Sequence, residues 1–392
     1  MRRRCFSPAG MLIAGAILCL VASTAPAPAL SAGRTTFSVS SFGAAGNGIA
    51  DDSEIDGDVL APPGMGYWPK ARRPLQWLNF KWLDGFTIQG TGTVDGQSTL
   101  LRSVSPANVS QHWYISGVKP TLIRFYSSFN VSVRNIRITN SPQCHLKFDS
   151  SGGIKVKNIT ISSPGDSLNT DGIHLQNTRD VDIRSSSIGC GDDCISIQTG
   201  CSNVHMKNIN CNPGHGISLG GLGKDNSLAC VSDVFAEHIN VENALYGVRI
   251  KTWQGGKGTV RNVTFSNVRV ANVATPIAID QFYCDAGGGG ARCGNRSDAV
   301  GITGVAYRRV AGTYTYQPVR LACSDARPCT GVSMADVRLS PASATGAGGL
   351  RQPLCWKSYG EAMGMIEPTG IACLQRSNGF VMPLTKPFNY TC

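Results

Sequence analysis

The sequence contains few charged residues and lacks several features that mark whole classes of protein. Charged residues make up 16% of the 392-residue chain, and acids are the scarcer kind, with 25 Asp and Glu against 36 Lys and Arg. Beyond the N-terminus, no apolar run reaches the roughly 20 residues that a bilayer requires. Cysteine spacings typical of zinc sites and basic runs interleaved with aromatic residues are also missing. These absences disfavour a membrane protein, a zinc protein and a nucleic-acid-binding protein.

Residues 1–32 have the features of a secretory signal peptide. A basic segment, Arg2 to Arg4, precedes the short apolar run from Met11 to Ala22, and small residues follow from Ala25 to Ala32. We expect a secreted, soluble chain of residues 33–392. Loss of the three arginines leaves 33 basic and 25 acidic residues, a formal net charge of +8 that suits a polyanionic partner such as an acidic polysaccharide.

The cysteine content fits an oxidising compartment. Of 15 cysteines, Cys5 and Cys19 lie in the expected signal peptide, which leaves an odd number, 13, so at least one stays unpaired. Six Asn-X-Ser/Thr sequons are plausible glycosylation sites in a secreted protein; they begin at Asn108, Asn130, Asn158, Asn262, Asn295 and Asn389.

One short strand pattern recurs through residues 80–340 without a linker or a long helical period. Runs of alternating Val and Ile start at Val131, Ile154, Val181, Val204, Val234 and Val263, which are 23, 27, 23, 30 and 29 residues apart. This period predicts an all-β solenoid whose stacked rungs bury one face of each strand. Asn135, Asn158, Asn208 and Asn267 recur at the predicted rung corners, where Asn tolerates a left-handed backbone. A β-sandwich is the alternative, although its strands would not keep so steady a spacing.

Four polar motifs interrupt the predicted rungs. Asp171, Asp192, His215 and Arg249 represent them and are separated by 21, 23 and 34 residues, which is near one rung each and somewhat more for the last gap. Because one rung advances about 4.8 Å along a solenoid axis, we expect the motifs to stack on one outer face. The motifs are Asn169-Thr170-Asp171-Gly172, Gly191-Asp192-Asp193-Cys194, Gly214-His215-Gly216 and Arg249-Ile250-Lys251.

The residue types in these motifs indicate glycoside hydrolysis, which needs a protonated carboxyl and a carboxylate. Three clustered aspartates cannot all ionise easily, so one pKa should rise. We predict that Asp192 is the general acid, that Asp171 and Asp193 activate water, and that His215 tunes their protonation. Arg249 and Lys251 alternate on a strand and would hold an acidic sugar. Taken singly, the motifs could be solvated turns, an exposed strand face or a calcium site.

Together the motifs resemble those of the polygalacturonases, glycoside hydrolase family 28, from about Leu75 to Cys373. The resemblance implies a single-stranded right-handed parallel β-helix that hydrolyses the α-1,4-galacturonan of pectin with inversion. It also implies a secreted cell-wall enzyme that acts as a monomer without metal or cofactor. Asn169 and Tyr283 are similar to substrate-binding residues, although Tyr283 could be a packing aromatic. The signatures extend the four motifs to Asn169–His174, Gly191–Ile197, Gly214–Ser218 and Gly247–Trp253.

The same resemblance implies four disulfides and leaves five cysteines unassigned. The pairs are Cys194 with Cys211, Cys284 with Cys293, Cys323 with Cys329, and Cys355 with Cys373. Cys190 replaces the small hydroxyl residue more often found before Gly191, and little chemical effect is expected. Cys144, Cys190, Cys201, Cys230 and Cys392 remain open.

The N-terminus departs from the family pattern. Phe37 to Asp52 resembles the first strand and turn, yet residues 53–55 lead directly into a stretch, 56–63, that looks like a later rung. We therefore expect a shortened N-terminal cap and reduced stability, since solenoids need caps on their terminal apolar faces. Three rival functions stay open: a calcium-dependent lyase on the same fold, a catalytically impaired pectin-binding protein, and a hydrolase of a related polymer such as rhamnogalacturonan.

Overall fold

A computed structural model describes residues 52–62, 76–98, 119–284, 298–342, 349–370, 374 and 392. The described chain is built almost entirely from short β-strands. In chain order they are β1 (Asp52–Glu54), β2 (Asp58–Leu60), β3 (Gln76–Lys81), β4 (Thr87–Gln89), β5 (Thr93–Asp95), β6 (Thr121–Tyr126), β7 (Ser132–Arg134), β8 (Arg137–Thr139), β9 (Leu146–Asp149), β10 (Gly152–Lys157), β11 (Thr160–Ser162), β12 (Ile173–Gln176), β13 (Arg179–Gly189), β14 (Ile195–Ile197), β15 (Cys201–Cys211), β16 (Ile217–Leu222), β17 (Leu228–Glu242), β18 (Tyr246–Trp253), β19 (Lys257–Val273), β20 (Thr275–Tyr283), β21 (Gly301–Tyr314), β22 (Val319–Ala322), β23 (Cys329–Pro341), β24 (Leu354–Trp356) and β25 (Ser358–Glu367).

The strands form two parallel sheets that the chain visits alternately. The long sheet runs β1-β4-β7-β10-β13-β15-β17-β19-β21-β23-β25, with a side branch β2-β5-β8-β11 that also joins β13. The short sheet runs β3-β6-β9-β12-β14-β16-β18-β20-β22-β24. Each coil therefore places its strands beside those of the coil before it, and the predicted all-β parallel β-helix is confirmed.

The core is a set of apolar columns between the two sheets. In the long sheet Ile154, Val181, Val204, Val234 and Val263 lie in register and are buried. Towards the N-terminus of the short sheet, the rings of three phenylalanines stack, with centroids 4.9 Å apart for Phe80–Phe125 and 5.3 Å apart for Phe125–Phe148. Inward side chains at alternate positions leave the outward positions free to build a site.

Asparagines in the left-handed conformation turn the chain at the rung corners. Asn135, Asn158, Asn208 and Asn267 have φ values of 63°, 53°, 55° and 54°. The amide of Asn158 also donates to Oδ1 of Asn135 on the preceding rung, at 3.0 Å. The corners predicted from the sequence are confirmed at all four residues.

The first described coil contains β1 and β2, which pair in parallel with β4 and β5. β2 falls within the 56–63 stretch expected to resemble a later rung. The expected signal peptide and all of the predicted first strand and turn except Asp52 lie outside the described residues. Within the described part of the chain, no helix has the length and apolar character needed to cross a membrane.

Three disulfides have both of their cysteines within the described residues. The Cys194–Cys211 and Cys323–Cys329 bridges are present as predicted. Cys284 and Cys355 are disulfide-bonded, but their predicted partners, Cys293 and Cys373, lie outside the described residues. Of the five cysteines left open, Cys230 pairs with Cys392, whereas Cys144, Cys190 and Cys201 are unpaired and buried.

Substitutions at Asn208 should show that this rung corner requires a residue that tolerates a left-handed backbone conformation. Asn208→Val should lower the free energy of unfolding by about 1–2 kcal/mol or more, because a β-branched residue is strained at positive φ. Asn208→Gly adopts this conformation readily and should cost less than Val. Denaturant unfolding of the two variants measures the difference. A Val variant as stable as the Gly variant would contradict the assignment.

Candidate active site

The predicted motifs meet at one edge of the short sheet, where consecutive strands begin. Asp171, Asp193 and His215 each stand two residues before a strand, β12, β14 and β16 respectively. These strands pair through Ile173, Ile195 and Ile217, so the three polar residues hold the same place on successive rungs. The rungs are about 4.8 Å apart, which brings residues distant in sequence within contact range.

Asp193 is the centre of a buried ion cluster. Its Oδ1 accepts hydrogen bonds from Ser218 Oγ and Arg249 Nη2, both at 2.6 Å, and its Oδ2 accepts one from Lys251 Nζ at 3.0 Å. The Asp193 side chain is 3% exposed, against 7% for Arg249 and 10% for Lys251. Burial alone would raise the pKa of Asp193, but Arg249 and Lys251 outweigh it and lower the pKa to about 2. Asp193 therefore stays ionised.

The other two aspartates are each paired with a histidine. Nδ1 of His174 lies 2.8 Å from Asp171 Oδ2, and Nδ1 of His215 lies 2.9 Å from Asp192 Oδ1. The backbone N–H of Asp193 also donates to Asp192 Oδ1 at 2.9 Å. Burial raises the pKa of Asp171; the hydrogen bond with His174 opposes the rise, and the charges of Asp193 and Asp192 add to it. Carboxyls with different environments thus share one site, as acid–base chemistry requires.

A buried histidine fixes the backbone at Asp171. Nδ1 of His145 lies 2.8 Å from the Asp171 carbonyl oxygen, and Nε2 lies 2.7 Å from Ser163 Oγ. Because a carbonyl only accepts, Nδ1 carries the proton and Nε2 accepts from the hydroxyl. Burial lowers the pKa of His145 to about 4, since the charged ring would lose its hydration.

The Gly191-Asp192-Asp193 turn depends on close backbone packing. A Cβ added to Gly191 would lie 2.0 Å from the Ser167 carbonyl oxygen, so only glycine fits. The Gly191 N–H donates to Thr170 Oγ1 at 2.9 Å, and that hydroxyl donates to the same Ser167 carbonyl at 2.7 Å. The two aspartate turns are consequently held against each other.

The carboxylates open into a cavity of about 250 Å³, which accommodates only part of a polymer. Of the predicted site residues, Asn169, Asp171, Asp192, Asp193, Lys251 and Tyr283 line it. Arg249 is hydrogen-bonded to Asp193, which lines the cavity, and His215 is hydrogen-bonded to Asp192, which also lines it. The ring of Tyr283 packs edge-on against Trp253, with centroids 5.5 Å apart, and lies 5.4 Å from the ammonium of Lys251. The predicted residues are therefore together in one place.

Several cavity residues are not among those predicted from the sequence. His174, Ser196 and Ser218 occupy one outward position on successive rungs, and Arg249 continues this column. Aligning the motifs by rung would have indicated His174 and both serines, because all of them follow an aspartate or histidine turn at a fixed distance. Of this column His174 and Ser196 line the cavity, whereas Ser218 is buried and donates to Asp193. The other unpredicted lining residues are Thr121, Gln143, Cys144, Lys147, Gln198, Gly220 and Gly221.

Asp192, Asp193 and His215 could also be considered as cation ligands, since one ligand atom from each lies within 4.8 Å of the others. Both oxygens of Asp193 are already occupied by Arg249, Lys251 and Ser218. The chain thus supplies its own positive charge at this position, which disfavours a divalent cation there.

A family model described as "Glycosyl hydrolases family 28" matches residues 53–348. The chain belongs to this family. A polygalacturonase of Chamaecyparis obtusa is 38% identical over 300 residues, which cover 73% of this chain and 55% of that relative. The alignment therefore spans little more than half of that protein's length.

Solved structures of the family show the same fold. The polygalacturonase from Erwinia carotovora matches with a TM-score of 0.61 and 22% identity, over 78% of this chain and 84% of that one. Endopolygalacturonase I from Stereum purpureum, complexed with two galacturonates, matches with a TM-score of 0.54 and 19% identity, over 80% and 94% of the two chains. The predicted right-handed parallel β-helix is confirmed by these likenesses.

Removing the charge of Asp193 should strongly destabilise the protein. Asp193→Asn leaves the buried Arg249 and Lys251 without a counter-charge, and we expect a loss of about 3–5 kcal/mol in the free energy of unfolding at neutral pH. The matched control is Asp182→Asn, which breaks the surface ion pair with Arg184 and should cost less than about 1 kcal/mol. Equal costs for the two variants in denaturant unfolding would refute a stabilising role for the cluster.

His145 should make the fold less stable in acid. Between about pH 6.5 and 4 the unfolded chain takes up a proton at this residue while the folded chain does not, so stability falls as the pH drops through that window. Below pH 4, His145 therefore lowers the free energy of unfolding by about 3 kcal/mol relative to its value above pH 6.5. Thermal unfolding of wild type and His145→Gln across pH 4–7 measures it. The variant should be less stable at pH 7 and show a shallower loss towards pH 4; parallel curves would contradict a neutral buried imidazole.

Proposed function

We propose that the protein is a polygalacturonase that hydrolyses α-1,4-galacturonosiduronic linkages of pectin with inversion. The observation that carries the proposal is the cavity with three aspartates, one held ionised by Arg249 and Lys251 and the others paired with histidines. Family membership supports glycoside hydrolysis as the reaction class. The galacturonates in the Stereum purpureum complex support an acidic sugar as the substrate.

In the proposed mechanism Asp192 protonates the leaving glycosidic oxygen. The Asp192 side chain is 22% exposed, against 3% for Asp193, and it lines the cavity where a substrate oxygen would lie. His215 holds the Asp192 carboxyl in one orientation through the hydrogen bond between His215 Nδ1 and Asp192 Oδ1. An acid of this kind accelerates such reactions by about 10²–10⁴-fold.

Asp171 and Asp193 have different parts in the proposed mechanism: Asp171 activates the attacking water, and Asp193 acts through its charge. Burial raises the pKa of Asp171, which makes its carboxylate a stronger base for the water proton. Asp193 remains ionised and stabilises the positive charge that develops on the sugar ring. His174 and His145 fix the Asp171 side chain and backbone respectively.

Lys251 is the proposed contact for the sugar carboxylate. Its ammonium donates to Asp193, and no other acceptor among the described residues takes its two remaining N–H groups, which can point into the cavity. Arg249 is more deeply buried, and its guanidinium stacks over the Tyr246 ring at 4.1 Å. Its positive charge therefore attracts the anionic sugar without direct contact, and its hydrogen bond keeps Asp193 in place. Asn169 and Tyr283 line the same cavity and would complete the subsite.

Secretion to the cell wall follows from the signal-peptide pattern in residues 1–32 and from the polymer on which the enzyme would act. Paired cysteines such as Cys194–Cys211 are consistent with an oxidising compartment. In this proposal the enzyme is a monomer that needs no metal, because Arg249 and Lys251 provide the positive charge that a lyase would take from calcium.

Asp192→Asn should lower kcat on polygalacturonate by at least about 100-fold while changing the affinity for it little, because the acid acts on the leaving group. Reducing-end assays with a chelator present measure turnover, and equilibrium binding measures affinity. Asp182→Asn, remote from the cavity, is the control and should match wild type.

The same assay separates the rival functions. Wild-type activity that requires calcium and produces an unsaturated, ultraviolet-absorbing sugar end would establish a lyase instead. Tight binding without any cleavage by wild type would establish a binding protein. If Asp171→Asn, rather than Asp192→Asn, removes the basic limb of the pH profile, the acid and base roles are exchanged.

A further inference from the structure

Lys147 is a cavity cation that the proposed mechanism leaves without a role. It lies on β9, is half-buried and lines the same cavity as the three aspartates. Within the described part of the chain, the side chain of Lys147 has no hydrogen-bond or ion-pair partner. Its neighbour on the preceding rung differs, since Arg124, which is in register with Lys147, pairs with Asp149.

The register places Lys147 on the opposite side of the aspartates from Lys251. Lys147 is in register with His174 on the next rung, and the same outward column continues through Ser196 and Ser218 to Arg249. Four rungs of about 4.8 Å thus separate the rung of Lys147 from that of Lys251, roughly 19 Å along the axis. The carboxylates of Asp171 and Asp192 lie between these two cations.

A half-buried ammonium without a counter-charge has lost part of its hydration without gaining an ion pair or hydrogen bond that compensates for it. A carboxylate ligand would restore that interaction through a charge-assisted hydrogen bond. In a polymer whose every sugar carries a carboxylate, a chain crossing the aspartates presents one such group on each side of the bond to be broken. Lys147 and Lys251 both line the cavity, and Lys251 Nζ reaches back to Asp193 before β14, so the two ammonium groups are available to carboxylates on either side of that bond.

We propose that Lys147 binds the carboxylate of the galacturonate across the scissile bond from the sugar held by Lys251. This inference rests on the proposed hydrolysis of galacturonan. If Lys147 binds in this way, both sugars that flank the cleaved bond must be unesterified, because a methyl ester removes the charge that Lys147 recognises.

The test is Lys147→Met, which keeps the length of the side chain and removes its charge. KM for polygalacturonate should rise about 10- to 100-fold, the equivalent of one hydrogen bond to a charged group. Partial methyl esterification of the substrate should slow wild type more than it slows Lys147→Met. Lys147→Arg should recover most of the affinity, since it restores the charge.

Two controls make the result specific. Lys155→Met removes an equal charge from an exposed position on β10 of the long sheet and should behave like wild type. Direct binding of polygalacturonate is measured in the Asp192→Asn background with and without Lys147→Met. Unchanged KM, binding and ester sensitivity in the Lys147→Met variant, with an active wild type, would overturn this inference and leave the proposed function intact. An inactive wild type would overturn the proposed function, and the binding measurement would still decide the role of Lys147.

Discussion

Parallel, in-register stacking of coils is the constraint on which the site depends. Each backbone bonds to the coil before and after it, so a residue at a given place in one rung lies about 4.8 Å from its equivalent in the next. Asp171, Asp193 and His215 become neighbours for this reason alone, although 44 positions of sequence separate the first from the last. The apolar columns behind them keep that register, because a slip by one residue would turn Val and Ile outward.

Within that frame, the electrostatics of the site begin at Asp193. A carboxylate buried this deeply persists in its charged form only because Arg249 and Lys251 are buried with it. Once Asp193 is fixed as an anion, it helps to raise the pKa of Asp171 across the cavity. One buried ion cluster thus gives neighbouring aspartates different protonation behaviour, which acid–base hydrolysis needs.

Much of this arrangement could be predicted from the sequence, because the solenoid period is visible in it. The recurrence of Val and Ile predicted the rungs, and the recurrence of asparagine predicted corners that the structure confirms at Asn135 and Asn208. What could not be predicted is which side chains face each other across rungs, since the short-sheet strands are only three to nine residues long and carry little pattern of their own. The pairing of Arg249 and Lys251 with Asp193 and the position of Lys147 depend on that register.

The Cys230–Cys392 disulfide is a contact that the sequence could not indicate, since 162 positions separate its two cysteines. Its consequence is mechanical. A stack of coils is most vulnerable at its two ends, where each terminal rung has a neighbour on one side alone. This bond fastens Cys392 to β17, which lies four rungs before β25 in the long sheet. The C-terminal part of the described chain therefore stays tethered to the middle of the β-helix even when the outer coils loosen.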